Sequence, residues 1–172
     1  MAEADVQLND FPNIFSLKGK VAVVTGGSRG LGLHAASGYP PLPPHPSTNL
    51  TPPSLLQAGC TKVFITSRKA EACAAAVAAL NALPNLQPGA RAYAVPADSS
   101  TLAGIEHLVK EVAKQTDHVD VLFANAGATW GQYFDEVEER NGWDRVMDLN
   151  VKAVFFTIQK FVLSFFCILM GV

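Results

Sequence analysis

The chain has 172 residues, 49% of them apolar and 16% charged, with a net charge of -2. That length is enough for one domain with a sizeable core, and that composition excludes wholesale disorder. A chain without a basic run lacks the cationic face that nucleic acid requires, so no nucleic-acid partner is expected.

The N-terminal MAEADVQLND is acidic and polar, unlike a signal or transit peptide, and points to the cytoplasm. Residues 1–18 read as an arm ahead of one domain over 19–172. Val21–Thr25 is a short apolar run, the pattern of a strand buried on both faces. TGGSRGLG at Thr25–Gly32 is a glycine-rich turn, and a helix opens at Leu31. Lys62–Ser67, β-branched and aromatic, is a second strand. Lys69–Leu83 is an alanine-rich helix closed by Pro84. Arg91–Val95 is a third strand stopped by Pro96. Ser99 or Ser100 caps the next helix, whose Leu102, Ile105, Leu108, Val109 and Val112 share one face. Val119–Ala124 is a fourth strand, and a last helix runs from about Gly142 to Phe166. Strands alternating with helix-length crossovers imply a parallel α/β layered sheet. The apolar tail FVLSFFCILMGV has 12 residues, short of the roughly 20 in a membrane span, so no span is expected. Three cysteines (Cys60, Cys73, Cys167) and four scattered histidines fall at no ligand spacing, so free thiols and no metal are expected.

The glycine-rich turn follows a buried strand and opens a helix, the context of a dinucleotide fingerprint. Gly26 permits the tight turn, and Gly30 and Gly32 let backbone and helix approach a pyrophosphate at the helix N-terminus. After the second strand an acid would bind a ribose 2′-hydroxyl, whereas a basic residue accepts a 2′-phosphate. Here stand Ser67, Arg68 and Lys69, with no carboxylate before Glu71, and Arg29 sits inside the turn itself. Two guanidiniums on one phosphate favour NADP(H) over NAD(H).

Adding Asp98 in PADSS, Asn125-Ala126-Gly127 and MDLNVKAVFF, the chain resembles the short-chain dehydrogenase/reductase family from about Phe15 to Val162, the proline-rich stretch apart. KVFITSRKAEAC is similar to its NADPH-dependent 3-oxoacyl-thioester branch, including rhamnolipid-type reductases. The resemblance implies an incomplete Rossmann-type, doubly wound parallel sheet of about four strands, order 3-2-1-4, with helices on both faces. It implies that Gly26, Ser28, Arg29, Gly30, Leu31 and Gly32 line the cofactor diphosphate and adenosine ribose. Ser67 and Arg68 would join Arg29 at the 2′-phosphate, Asp98 would hold the adenine amino group beside Ser99, and Asn125, Ala126 and Gly127 would flank the ribose. Asn150 would be the tetrad asparagine that anchors a proton-relay water, on a helix that also serves as an oligomer surface. The substrate would be a small carbonyl or alcohol.

The rest of that tetrad is a serine and Tyr-x-x-x-Lys. Four residues after Tyr39, Tyr93 and Tyr133 stand Pro43, Ala97 and Val137, so the motif is absent from these 172 residues. The chain as written is expected to lack reductase activity. The alternative reading is a non-catalytic dinucleotide-binding or regulatory partner of full-length relatives.

Spacing carries one more expectation. Gly32 and Arg68 are 36 positions apart, against about 20 in the fingerprint. Removing Tyr39–Ser54, 16 residues with seven prolines, restores 20 and leaves GLGLHAASGLLQAGCTKVFITSRK, one unbroken helix leading into the second strand. Either residues 39–54 are translated intron, with Leu163–Val172 a second read-through, or they are a proline-rich loop or partner motif. In both cases the helix restarts near Leu55. With four strands, the fourth becomes an open edge, and Phe155, Phe156 and Phe161 are expected to stay partly exposed.

Overall fold

The computed structural model describes residues 16–37, 55–84 and 86–170, with side chains up to 165. Residues 1–15 of the expected arm over 1–18, and the proline-rich stretch at 39–54, lie outside the described residues. Four strands form one sheet: β1 (Val21–Thr25), β2 (Lys62–Thr66), β3 (Arg91–Ala94) and β4 (Val121–Phe123). Their order is β3-β2-β1-β4, and every pair is parallel. The connecting helices are α1 (Gly30–Ser37), α2 (Ala70–Asn81) and α3 (Leu102–Ala113). A helical run then extends from 139 to 170, with Glu139–Asp144 and Asp148–Lys152 wound as π-helix and α4 spanning Ala153–Met170.

The apolar run in β1 serves two cores because successive strand side chains point to opposite faces. Val21 and Val23 pack with Phe64, Leu108, Val112 and Phe161 on one face, under α3 and α4. Ala22 and Val24 pack with Val63, Ile65, Ala36 and Leu80 on the other, under α1 and α2. Helices cover both faces, as a doubly wound sheet requires.

Two expectations are corrected here. The cap of α3 is Thr101, whose hydroxyl accepts from the Gly104 N–H at 3.1 Å. Ser100 is engaged instead with Asp98, donating to Asp98 Oδ1 through its N–H at 3.0 Å and its hydroxyl at 2.7 Å, so the chain enters the helix one residue later. Phe161 is only 4% exposed, since it stacks on Phe165 within the core, while Phe155 is 60% exposed. On α4 the buried face is Ala153, Thr157, Phe161 and Phe165, at intervals of four, which turns Phe155 outward.

The helix opened by the glycine turn has a second part. The Leu55 N–H donates to Ala35 O at 3.1 Å. At 55–60 the Gly59 N–H bonds Leu56 O and the Cys60 N–H bonds Leu55 O, with Gly59 at φ 113°. Those paired bonds around a glycine of positive φ are a Schellman helix end. Leu56 is fully buried beside Ala36. No helix among the described residues is long and apolar enough to cross a membrane.

Candidate functional site

At the C-terminal edge of the sheet, a cavity of about 390 Å³ opens where the strand order reverses between β1 and β4. One wall is the turn after β1, with Gly26, Ser28, Arg29, Gly30 and Leu31. Gly26 has φ 66°, and a Cβ there would meet Ala126 Cα at 3.0 Å, so the turn lies against the loop after β4. Gly32 does not line the cavity. A Cβ on it would stand 2.5 Å from Gly26 O and 2.6 Å from Asn125 Nδ2, so it packs α1 beneath the turn. The N-terminus of α1 thereby faces the cavity, where its free N–H groups favour an anion.

A second wall comes from the ends of β2 and β3. Ser67 and Arg68 follow β2, and Ala97, Asp98 and Ser99 follow β3. The Ser67 hydroxyl lies 3.1 Å from the buried Cys73 Sγ. The Asp98 carboxylate is fixed at Oδ1 by Ser100, which leaves Oδ2 to accept from a ligand amine. Gly104 was not singled out from the sequence. A Cβ at Gly104 would stand 2.0 Å from Asp98 O, so only glycine lets α3 approach this loop.

Asn125, Ala126 and Gly127 complete the floor. Thr25 holds them: its carbonyl accepts from Asn125 Nδ2 at 3.1 Å, and its hydroxyl from the Ala126 N–H at 2.9 Å. Thr25 is 2% exposed and is a further positioning residue that sequence reasoning did not name. Leu149, also unnamed, closes the cavity from the helical run. The Asn150 side chain sits at the next turn of the loop, accepting from Ala128 N–H and donating to Ala128 O, both at 2.8 Å. It therefore clamps the loop after β4 to the helical run.

Neither Arg29 nor Arg68 has an ion-pair partner among the described residues. A wall with two unpaired guanidiniums, a helix N-terminus and one acceptor carboxylate suits a ligand with several phosphates and an aromatic amine. Burial, then Asp120, pushes the Cys60 thiol up to about 11, away from the reactive thiolate form.

This turn, loop and helix arrangement matches known proteins. The profile described as short chain dehydrogenase matches residues 51–166. The chain belongs to the short-chain dehydrogenase family. It is 39% identical over 146 residues to the rhamnolipids biosynthesis 3-oxoacyl-[acyl-carrier-protein] reductase of Pseudomonas aeruginosa, covering 85% of this chain and 48% of that one. It is 36% identical to the 2-dehydro-3-deoxy-D-gluconate 5-dehydrogenase of Escherichia coli K12, covering 84% and 47%. Among solved structures, the Pseudomonas aeruginosa RhlG/NADP active-site complex superposes with a TM-score of 0.70 at 38% identity, over 87% of this chain and 49% of that chain. A blue fluorescent protein from a metagenomic library, in complex with NADPH, gives 0.68 at 32% identity, over 87% and 52%. The chain thus spans about half the length of the relatives it matches.

Proposed function

We propose that this cavity binds NADP(H) and that the chain is the cofactor-holding portion of a cytoplasmic short-chain reductase for 3-oxoacyl or related carbonyl compounds. The observation that carries the reading is the pair Arg29 and Arg68, unpaired and on the same cavity as the glycine turn. The residues present fit such a cofactor. Gly30 has φ 55° with open space above it, and Asp98 keeps a free acceptor oxygen. Arg29 and Arg68 would hold the 2′-phosphate, the turn and the α1 N-terminus the diphosphate, and Asp98 the adenine amine. The chemistry that bound NADPH would supply is a hydride for a carbonyl carbon. Relatives crystallised with NADP or NADPH support the choice.

These 172 residues contain no Tyr-x-x-x-Lys, so by themselves they bind cofactor without turnover. The test is titration of the chain with NADPH and NADH, read by quenching of Trp130 and Trp143, the two tryptophans. NADPH should bind at least about tenfold tighter than NADH, and Arg68→Asp should reverse that order. Equal affinities, unchanged in the variant, would overturn the phosphate-clamp reading. Consumption of NADPH with a 3-oxoacyl thioester would overturn the absence of turnover.

A second reading is a non-catalytic partner that docks on relatives or on itself through the helical run. It is favoured by Val151, Phe155, Ile158 and Val162, which are 54%, 60%, 47% and 45% exposed at spacings of four, three and four. That spacing forms one apolar seam along a helix.

A further inference from the structure

We propose that Arg145 is a third cation of the site that holds the 2′-phosphoadenosine end of NADP(H), an assignment that rests on the cofactor reading above. A chamber of about 400 Å³ adjoins the cofactor cavity and shares Arg29, Arg68, Gly127 and Leu149 with it. Its remaining wall brings in Arg145 from the helical run, together with the hydroxyl-bearing Ser100 and Thr129. Three guanidiniums thus face one space from three separate elements.

None of the three is neutralised by a described residue. No ion pair among the described residues includes Arg29, Arg68 or Arg145. The carboxylate on that wall, Asp148, is engaged by Lys152 at 3.1 Å. Like charges around one chamber repel, and a dianion among them converts that repulsion into charge-assisted hydrogen bonds. A 2′-phosphate is such a dianion, and the chamber shares with the cavity the two arginines already assigned to it.

Arg145 is also held in place. Its guanidinium carbon lies 5.1 Å from the centroid of the Trp130 ring, a cation–π contact. Trp130 in turn packs against Gly142, where a Cβ would stand 3.3 Å from the indole. A guanidinium resting on a fixed ring loses less freedom on meeting a phosphate than one free in solvent.

The experiment is calorimetric titration of wild type, Arg145→Gln and Arg145→Lys with NADPH, NADH and 2′,5′-ADP. Arg145→Gln should weaken NADPH and 2′,5′-ADP about tenfold and NADH by less than about twofold. Arg145→Lys, which keeps the charge and loses the planar fork, should recover part of the loss. Trp130→Leu should show a smaller loss with the same selectivity. No loss in Arg145→Gln, or equal losses for NADPH and NADH, would overturn the assignment while a wild-type preference for NADPH leaves the cofactor reading standing. A wild type that does not prefer NADPH would sink both.

Discussion

Asp120 stands at the end of the sheet opposite the cavity, just before β4. Its Oδ2 accepts the Val21 N–H at 2.8 Å and its Oδ1 accepts from Lys20 Nζ at 2.8 Å. The His118 Nε2 lies 3.5 Å away. Burial acts to raise its pKa, but the bonds from Lys20 and Val21 outweigh that and hold the carboxyl below its usual value. A depressed pKa contributes stability above the unfolded-state value, and that contribution is lost as pH falls through the folded-state value. Asp120→Asn should therefore cost about 1.5 kcal/mol at neutral pH, the scale of a hydrogen bond to a charged group. The gap to wild type should close as the pH is taken from neutral to below the ordinary carboxylate range. Urea unfolding at both ends of that pH span checks this, and a gap independent of pH would refute it.

At the same scale, the glycine turn could be read from the sequence because glycines at that spacing between a strand and a helix form a local pattern, whereas Asp98 and Asn150 were named only through the family resemblance. Neither route reached Gly104 or Thr25. Gly104 matters only because Asp98 O comes within 2.0 Å of its missing Cβ, and Thr25 only because two later residues hydrogen-bond to it. Those approaches are tertiary facts with no local pattern.

At the scale of elements, α1 and the turn at 55–59 behave as two parts of one helix. In a helix each N–H bonds the carbonyl four residues back. With Tyr39–Ser54 removed, Leu55 becomes the fourth residue after Ala35, and the 3.1 Å bond from the Leu55 N–H to Ala35 O is that ladder bond. The Schellman end at Gly59 then terminates the joined helix. Closing a 16-residue segment costs about 2 kcal/mol of chain entropy. Deleting residues 39–54 should therefore raise Tm by roughly 4–8 °C for a chain of this size. A lower Tm, or loss of helical circular dichroism, would show that the interposed residues support the fold. The restart at Leu55 was readable from spacing, whereas the Thr101 cap was not, because three consecutive hydroxyls stand before α3 and only the Asp98 contacts choose among them.

For the whole molecule, the decisive surface is the outer face of the helical run. The pattern of α4 is apolar nearly all round, so sequence alone does not say which phenylalanines face the sheet; the Glu106–Lys160 bridge at 2.6 Å and the Phe161–Phe165 stack fix its rotation. Val151, Phe155, Ile158 and Val162 are then left outward. Among the described residues β4 pairs with no strand but β1, and it carries Phe123, 40% exposed. Fully covering one such side chain contributes about 1.5–3 kcal/mol, so covering the half still exposed on four side chains of each copy contributes roughly 6–12 kcal/mol. The cost of association is about 4–15 kcal/mol, so this seam alone gives weak, concentration-dependent self-association rather than a permanent dimer. Light scattering on a dilution series should show mass rising with concentration. The double variant Phe155→Glu with Val162→Glu should remain monomeric over the same range and keep its NADPH affinity, since neither residue lines the cofactor cavity. If the double variant associates as wild type does, the seam is not the contact, and the unpaired edge of β4 becomes the surface that drives association.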